Sequence, residues 1–254
     1  MTRYFNQKIE TMPREQLARL QTEKLQALLA ELYGKNRFYT AKLKEAGAEP
    51  GDVTSLADLR RLPLTTKREL VAAQGDDPFA GANLTYPLAA YTRFHQTSGT
   101  TGEPLRVFDT AQSWDWWGRC WGYVFSGAGL TAADRIFLAF SFGPFIGFWA
   151  AVEGARHIGA LTIPGGGRSS VERLHLMRDT GSTALCCTPT YALHLLEVAR
   201  ENTITISDLN IQTTVHAGEP GANVPATKQR IQQGWSAKCY DHAGASEVGA
   251  HSFE

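Results

Sequence analysis

From Arg135 onward the chain repeats one pattern, and that pattern limits the folds open to it. Short apolar runs alternate with amphipathic stretches of about three helical turns. Arg135–Ser141, Ala160–Ile163, Ala184–Cys187 and Thr213–His216 read as strands, and Lys238–Tyr240 starts another. Gly147–Ile158, Ser169–Asp179, Thr190–Glu201 and Ala226–Gln233 read as the helices between them. Such alternation implies an α/β fold with a largely parallel, doubly wound sheet. Ligands bind these sheets at the carboxyl ends of the strands. The polar and glycine-rich pieces follow the strands: Gly165-Gly166-Gly167, Thr188-Pro189-Thr190, Ala217-Gly218-Glu219-Pro220 and Asp241-His242-Ala243-Gly244. A composite site along that edge is the expectation.

The first third reads differently. Residues 13–33 form an amphipathic helix, with Pro13 in the first turn, a leucine stripe from Leu17 to Leu32, and Gly34 as the stop. Residues 38–47 form a second, shorter helix ending at Gly47. Thr66-x-x-Glu69 before Leu70-Val71 is a capping-box pattern. Residues 75–90, rich in Gly, Ala, Asn and Pro, read as a loop and a weak boundary. The expected division is a helical region over 1–90 and an α/β part over 91–254.

Between the two lies Thr97-Ser98-Gly99-Thr100-Thr101-Gly102-Glu103-Pro104. Tyr91–Gln96 reads as a strand leading into it and Leu105–Phe108 as a strand leaving it. Glycine lets backbone approach a ligand closely and adopt positive φ. Successive N–H groups with Ser and Thr hydroxyls make an anion-binding concavity, for which a polyphosphate is the natural guest. A solvated turn is the other reading of the same composition. No Gly-x-x-x-x-Gly-Lys-Ser/Thr loop occurs in the chain.

Charge and composition exclude several classes. Lys plus Arg and Asp plus Glu are 25 each, so formal net charge is zero. No basic field points to nucleic acid and no polybasic run to acidic lipid. Residues 111–127 carry Trp114, Trp116, Trp117, Trp121, Tyr123 and Phe125. A helix packed across a sheet accounts for them better than a base-stacking surface, given the neutral charge. The 17 residues from Ile136 to Val152 hold no charge, but Ser141, Gly143-Pro144 and Gly147 interrupt them. Strand, loop and helix start are expected there rather than a membrane span. The start lacks the apolar core of a signal peptide, and the four cysteines read as reduced thiols of a cytoplasmic protein. His251 and Glu254, with His242 nearby, form a partial zinc pattern. No Gly-x-Ser-x-Gly elbow or His-Glu-x-x-His pair is present.

Several motifs agree with one family. The Thr97–Pro104 run resembles the phosphate loop of adenylate-forming enzymes, the superfamily of acyl-CoA synthetases and luciferases. Gly244-Ala245-Ser246-Glu247 resembles their Gly-x-Ser/Thr-Glu box. Leu185-Cys186-Cys187-Thr188-Pro189-Thr190-Tyr191-Ala192-Leu193 narrows the match, with Phe140–Gly147 and the opening Ile9–Glu15 in agreement. From about Tyr4 to its end the chain is similar to the phenylacetate–CoA ligase family, which includes coenzyme F390 synthetases.

The resemblance implies the adenylate-forming large domain and a two-step reaction. A carboxylate attacks the α-phosphate of Mg-ATP, releasing pyrophosphate, and the thiol of coenzyme A then displaces AMP. It implies that Ser98, Gly99, Thr100, Thr101 and Gly102 hold the β- and γ-phosphates. Gly218, Glu219 and Pro220 would line the adenine, with Asp241 and His242 near the base. Ser246 would contact phosphate and Glu247 would help hold Mg²⁺, so Thr100 and Glu247 are the expected catalytic groups. Phe140, Phe142, Phe145, Ile146 and Gly147 would line a pocket for an aryl or aryl-acetic acid, a small-molecule partner. Glu219 beside Pro220 also suits a cap for the helix that follows, and Phe142 and Phe145 also suit a core. A homodimer is the common assembly of the family.

The chain departs from the family in places. Many relatives carry Lys where Leu105 stands, and a stacking Tyr where Ala243 stands; His242 is the candidate substitute. The chain stops at Glu254, before the family's ribose-binding Asp, hinge and C-terminal lid domain with its catalytic Lys. On that ground the pocket is expected to be incomplete and turnover by this chain alone very slow or absent. Two other readings stay open: an F390-type adenylyltransferase with another acceptor, and a nucleotide- or partner-binding module without turnover.

Overall fold

A computed structural model describes residues 4–75, 79–99, 102–147 and 149–254. The described chain separates into two compact units, Asn6–Ala111 and Gln112–Glu254, the latter joined by Tyr4 and Phe5. The boundary expected at residues 90 and 91 therefore falls about twenty residues later. The reason is local: the strands either side of the Ser/Thr/Gly loop pair with each other and stay with the helices before them.

The first unit opens on a short helix, α1 (Gln7–Glu10), capped by the Asn6 side chain. The longest helix, α2 (Arg14–Leu32), follows Pro13, which stands just ahead of the first turn. Its inner leucines meet those of α3 (Arg37–Glu45) in a small core of Leu29, Leu43, Ala48 and Val53. Asn36 caps α3 with Oδ1 and donates from Nδ2 to the Asn83 carbonyl at 2.9 Å. The capping box at Thr66 and Glu69 opens α4 (Lys67–Ala72). Strands β1 (Tyr91–Gln96) and β2 (Arg106–Thr110) form an antiparallel ribbon with a register shift between Tyr91 and Arg93. The outgoing strand thus starts one residue later than the sequence pattern suggests and runs on to Thr110.

The second unit carries the α/β sheet. Helix α5 (Ala111–Gly127) leads into β3 (Arg135–Leu138), α6 (Trp149–Ile158) and β4 (Leu161–Pro164). Then come α7 (Ser170–Asp179), β5 (Ala184–Cys187), α8 (Pro189–Glu201), β6 (Thr213–His216) and α9 (Pro225–Trp235). The last two strands are β7 (Lys238–Ala245) and β8 (Gly249–Phe253). The strand order is β4-β3-β5-β6-β7-β8, with every pair parallel except β7–β8.

Side chains alternate across these strands, and both faces are covered, which is why the strands read as unbroken apolar runs. Ile136, Leu138, Ala184, Cys186 and Val215 face α5 and α6. Phe137, Leu185, Cys187 and Cys239 face α7, α8 and α9. The α5 aromatics Trp114, Trp117, Trp121 and Phe125 are core, as a helix lying across a sheet requires. Each such large apolar side chain, once buried, contributes about 2–3 kcal/mol. Among the described residues no helix is long and apolar enough to cross a membrane. The uncharged stretch from Ile136 is a strand, a loop and a helix start.

Two expectations need correction. The strand read as Arg135–Ser141 ends at Leu138, and Phe140 onward is loop. The strand starting at Lys238 does not stop at Tyr240. It runs to Ala245 because Gly249–Phe253 folds back along it. Asp241, His242, Ala243 and Gly244 therefore lie within a strand and not in a loop after one.

Candidate functional site

In the first unit the hydroxyl-rich loop bridges β1 and β2. Its base is closed twice: Thr97 N–H donates to the Leu105 carbonyl and Leu105 N–H to the Thr97 hydroxyl, each at 2.9 Å. Inside, Gly102 N–H donates to the Gly99 carbonyl at 3.0 Å. Gly99 has φ of 66°, and a Cβ there would lie 2.8 Å from the Gly102 oxygen, so no other residue fits. Ser98 is exposed at the loop's outer limb. Thr100 and Thr101 lie outside the described residues. Leu105, where relatives carry Lys, is buried at 2% exposure and fixes the exit limb.

A residue the sequence did not single out holds this loop. Gln74 is buried at the end of the α4 segment. Its Nε2 donates to the Pro104 carbonyl at 3.2 Å, and its Oε1 accepts from Arg106 N–H. One amide thereby satisfies two backbone groups that the loop leaves unpaired. Nothing in the spacing of the sequence signals a contact across 30 residues.

In the second unit the strand order creates a switch point. From β3 the chain crosses by α6 to β4 on one side, then by α7 over the other face to β5 on the opposite side. Crevices for ligands open outside the carboxyl ends at such a reversal. The loop after β3 builds an aromatic wall there. Phe140 and Phe142 have ring centroids 4.6 Å apart, and Phe142 meets Trp149 edge-on at 4.6 Å. Trp149 Nε1 donates to the Gly143 carbonyl at 3.1 Å and braces the loop. Phe140, Phe142 and Ile146 pack onto the core, whereas Phe145 is half exposed and Gly147 exposed. Trp149 is an addition to the expected lining.

The loop after β6 carries Gly218, Glu219 and Pro220. Glu219 does not cap the helix that follows. Its Oε1 accepts from the Thr190 backbone N–H at 2.8 Å and from the Thr190 hydroxyl, and so caps α8. Burial opposes ionisation of this carboxyl, but the bonds from Thr190 and Thr188 outweigh it and hold it below the usual range. Behind the loop sits His216, fully buried at the end of β6. Its Nδ1 lies 3.1 Å from the Cys187 carbonyl, while Nε2 has no partner among the described residues. Burial holds the imidazole at about 4. Burial also pushes the Cys186 and Cys187 thiols well up, so they act as packing groups.

The Gly244–Glu247 box ends β7 and enters the turn to β8, closed by Val248 N–H donating to the Ala245 carbonyl at 3.1 Å. Ser246 and Glu247 are half-buried on that turn. Asp241 and His242 point to opposite faces of β7. Asp241 has a buried Oδ1 without a partner among the described residues, and burial, then the charge of Glu254, pushes its carboxyl up. His242 is only 6% exposed. Its ring lies 4.5 Å from Trp121, and its Nδ1 lies 2.9 Å from the Ser252 carbonyl. It belongs to the packing of α5 against the ribbon.

The zinc pattern is not assembled. Glu254 is taken by Lys228 at 2.8 Å, while His251 lines a cavity of about 170 Å³ beside Cys120 and His242. No group of three or more His, Cys, Asp or Glu among the described residues could hold a metal. The donor set does not suit zinc, which takes three or four protein ligands. A single carboxylate residue next in sequence to a hydroxyl residue, as Glu247 is to Ser246, suits Mg²⁺, which keeps several waters and adds phosphate oxygens.

No protein-family model matches the chain. Individual relatives do. The phenylacetate-coenzyme A ligase of Escherichia coli is 32% identical over 241 residues, 94% of this chain and 54% of that protein. The phenylacetate-coenzyme A ligase of Thermus thermophilus is 29% identical over 244 residues, 96% of this chain and 53% of that protein. The chain spans about half the length of the curated relatives it matches. Among solved structures, a 2-hydroxyisobutyryl-CoA ligase in complex with 2-HIB-AMP and CoA superposes with a TM-score of 0.92 at 30% identity. That match covers 97% of this chain and 52% of the ligase. Sequence and fold agree: over more than nine-tenths of its length the chain is similar to phenylacetate-coenzyme A ligases and to a 2-hydroxyisobutyryl-CoA ligase.

Proposed function

We propose that this chain carries the phosphate loop and acyl pocket of an ATP-dependent, AMP-forming acid–CoA ligase. The observation that carries the reading is the fold match to a ligase whose structure holds an acyl-adenylate and CoA, in a chain that keeps the hydroxyl-lined loop. In this reading the loop from Ser98 to Gly102, with Thr100 and Thr101, grips the triphosphate tail through amides and hydroxyls. Such preorganised donors stabilise charge on a phosphoryl group without reorganising. Gly218, Glu219 and Pro220 line the adenine, and Asp241 faces the base. Phe140, Phe142, Phe145, Ile146 and Gly147 receive an aryl or aryl-acetic acid. Ser246 contacts phosphate. Glu247 would hold Mg²⁺, which supplies positive charge to the phosphates when bound. The free thiols fit a reducing, cytoplasmic setting, and a homodimer is the proposed assembly.

Pyrophosphate release measured with a panel of aryl and aliphatic acids, with and without coenzyme A, tests the reading. Acid-dependent release that coenzyme A accelerates supports it. Nucleotide binding at millimolar levels without acid-dependent release would contradict it.

A further inference from the structure

Beyond the carboxyl ends of β3 and β4 sits a buried cation with no counter-ion among the described residues. Arg173 belongs to the first half of α7 and is only 7% exposed. Its side chain reaches the carboxyl ends of the neighbouring strands. Nε donates to the Gly165 carbonyl at 2.8 Å, just past β4, and Nη1 to the Ala139 carbonyl at 3.4 Å, just past β3. The guanidinium carbon lies 5.1 Å from the centroid of the Tyr191 ring, at the start of α8. Arg156 and Arg178, by contrast, are exposed and each has an acidic partner.

Two carbonyls use two of the five N–H donors of a guanidinium. A buried charge normally has a counter-ion, because desolvation is not recovered otherwise. The carboxyl edge of the sheet, where ligands bind in such folds, lies beside it. Gly166, next along the chain, is packed so closely on the aromatic wall that a Cβ there would lie 3.2 Å from Phe142 Cδ2. Tyr191 Oη is 2.9 Å from Ser170 Oγ, which is 3.3 Å from His194 Nε2, so the ring beneath the cation is tied to polar groups at the surface.

We propose that Arg173 recognises a carboxylate of the acid bound at this edge. The inference rests on reading the edge as the acyl site. The planar fork suits a carboxylate in two-point contact. That carboxylate is either the reacting group or a second one at the far end of an aryl dicarboxylate.

Calorimetric titration of the chain with phenylacetamide, phenylacetate and 4-carboxyphenylacetate separates the cases. Phenylacetate binding at least tenfold tighter than phenylacetamide assigns Arg173 to the reacting carboxyl. 4-Carboxyphenylacetate binding at least tenfold tighter than phenylacetate assigns it to the distal one. In either case Arg173→Gln, which keeps N–H donors for the carbonyls, should abolish the preference, and Arg173→Lys should keep part of it. Equal affinities in the wild type overturn the proposal, even if the glutamine variant does not fold. So does a preference that survives in a folded Arg173→Gln. Acid-dependent pyrophosphate release with a preference indifferent to Arg173 sinks this inference alone. An Arg173-dependent preference without pyrophosphate release sinks the ligase reading alone.

Discussion

Glu219 caps a helix earlier in the chain through the amide and hydroxyl of Thr190, 29 residues before it. Two loops at the carboxyl edge are thereby tied, one after β5 and one after β6. Glu219→Gln should cost about 1 kcal/mol, because the bond to a charged acceptor is lost on a partly solvated loop. The carboxyl is held below its usual range. Its contribution is therefore present above the unfolded value near 4.5 and fades as pH falls through the lower folded value. Urea titrations at pH 7 and pH 3 should show a smaller difference between wild type and variant at the second than at the first.

His216 makes stability fall with acid at higher pH. Burial lowers its value from 6.5 to about 4. The unfolded chain then binds more protons than the folded one between those values, so stability rises with pH across that window. The full effect approaches about 3 kcal/mol below pH 4, at about 1.4 kcal/mol per unit. His242 is also lowered by burial and adds to the slope. His216→Gln should flatten the dependence of unfolding free energy on pH between 6.5 and 4. An unchanged slope would show that the imidazole is not buried in its neutral form.

Gly154 is set by the aromatic helix. A Cβ there would lie 2.3 Å from Trp121 Cβ, which is backbone-proximal and cannot move aside. Gly154→Ala would gain about 1 kcal/mol of helix propensity at an exposed site. Here the clash outweighs it, and a net loss of about 1–3 kcal/mol is expected. Thermal denaturation of the variant measures the sign.

Gln74→Ala should strand the Arg106 N–H and the Pro104 carbonyl. Each unsatisfied buried group costs about 1–3 kcal/mol. Beyond the loss of stability, the loop exit should loosen, so ATP affinity measured by titration should fall more than acid affinity. Equal losses for both ligands would reduce Gln74 to general packing.

Legibility in the sequence followed burial. The β3 run Ile136-Phe137-Leu138 and the β5 run Ala184–Cys187 are covered on both faces, so their apolar character announced a parallel sheet. The Thr66 box and the α5 aromatics were equally plain, because their signals are local. The Gly-x-Ser-Glu ribbon was not. Asp241 to Ala245 are polar or small, and they become strand only because Gly249–Phe253 pairs with them. The sites missed were long-range polar ties: Gln74 to the loop exit, Glu219 to Thr190, Arg173 to the ends of β3 and β4. No spacing rule encodes a side chain that bonds a backbone group dozens of residues away. His242 illustrates the converse. Its place in a family motif pointed to nucleotide, while its register on β7 turned it onto Trp121.

The most direct test is titration of the chain with phenylacetyl-sulfamoyl-adenosine, a stable mimic of an acyl-adenylate. Saturable binding at least about a hundredfold tighter than adenosine or phenylacetate alone is expected, since both the adenine loop and the aromatic wall would contribute. Binding no tighter than that of adenosine would contradict an adenylate-forming site on this chain.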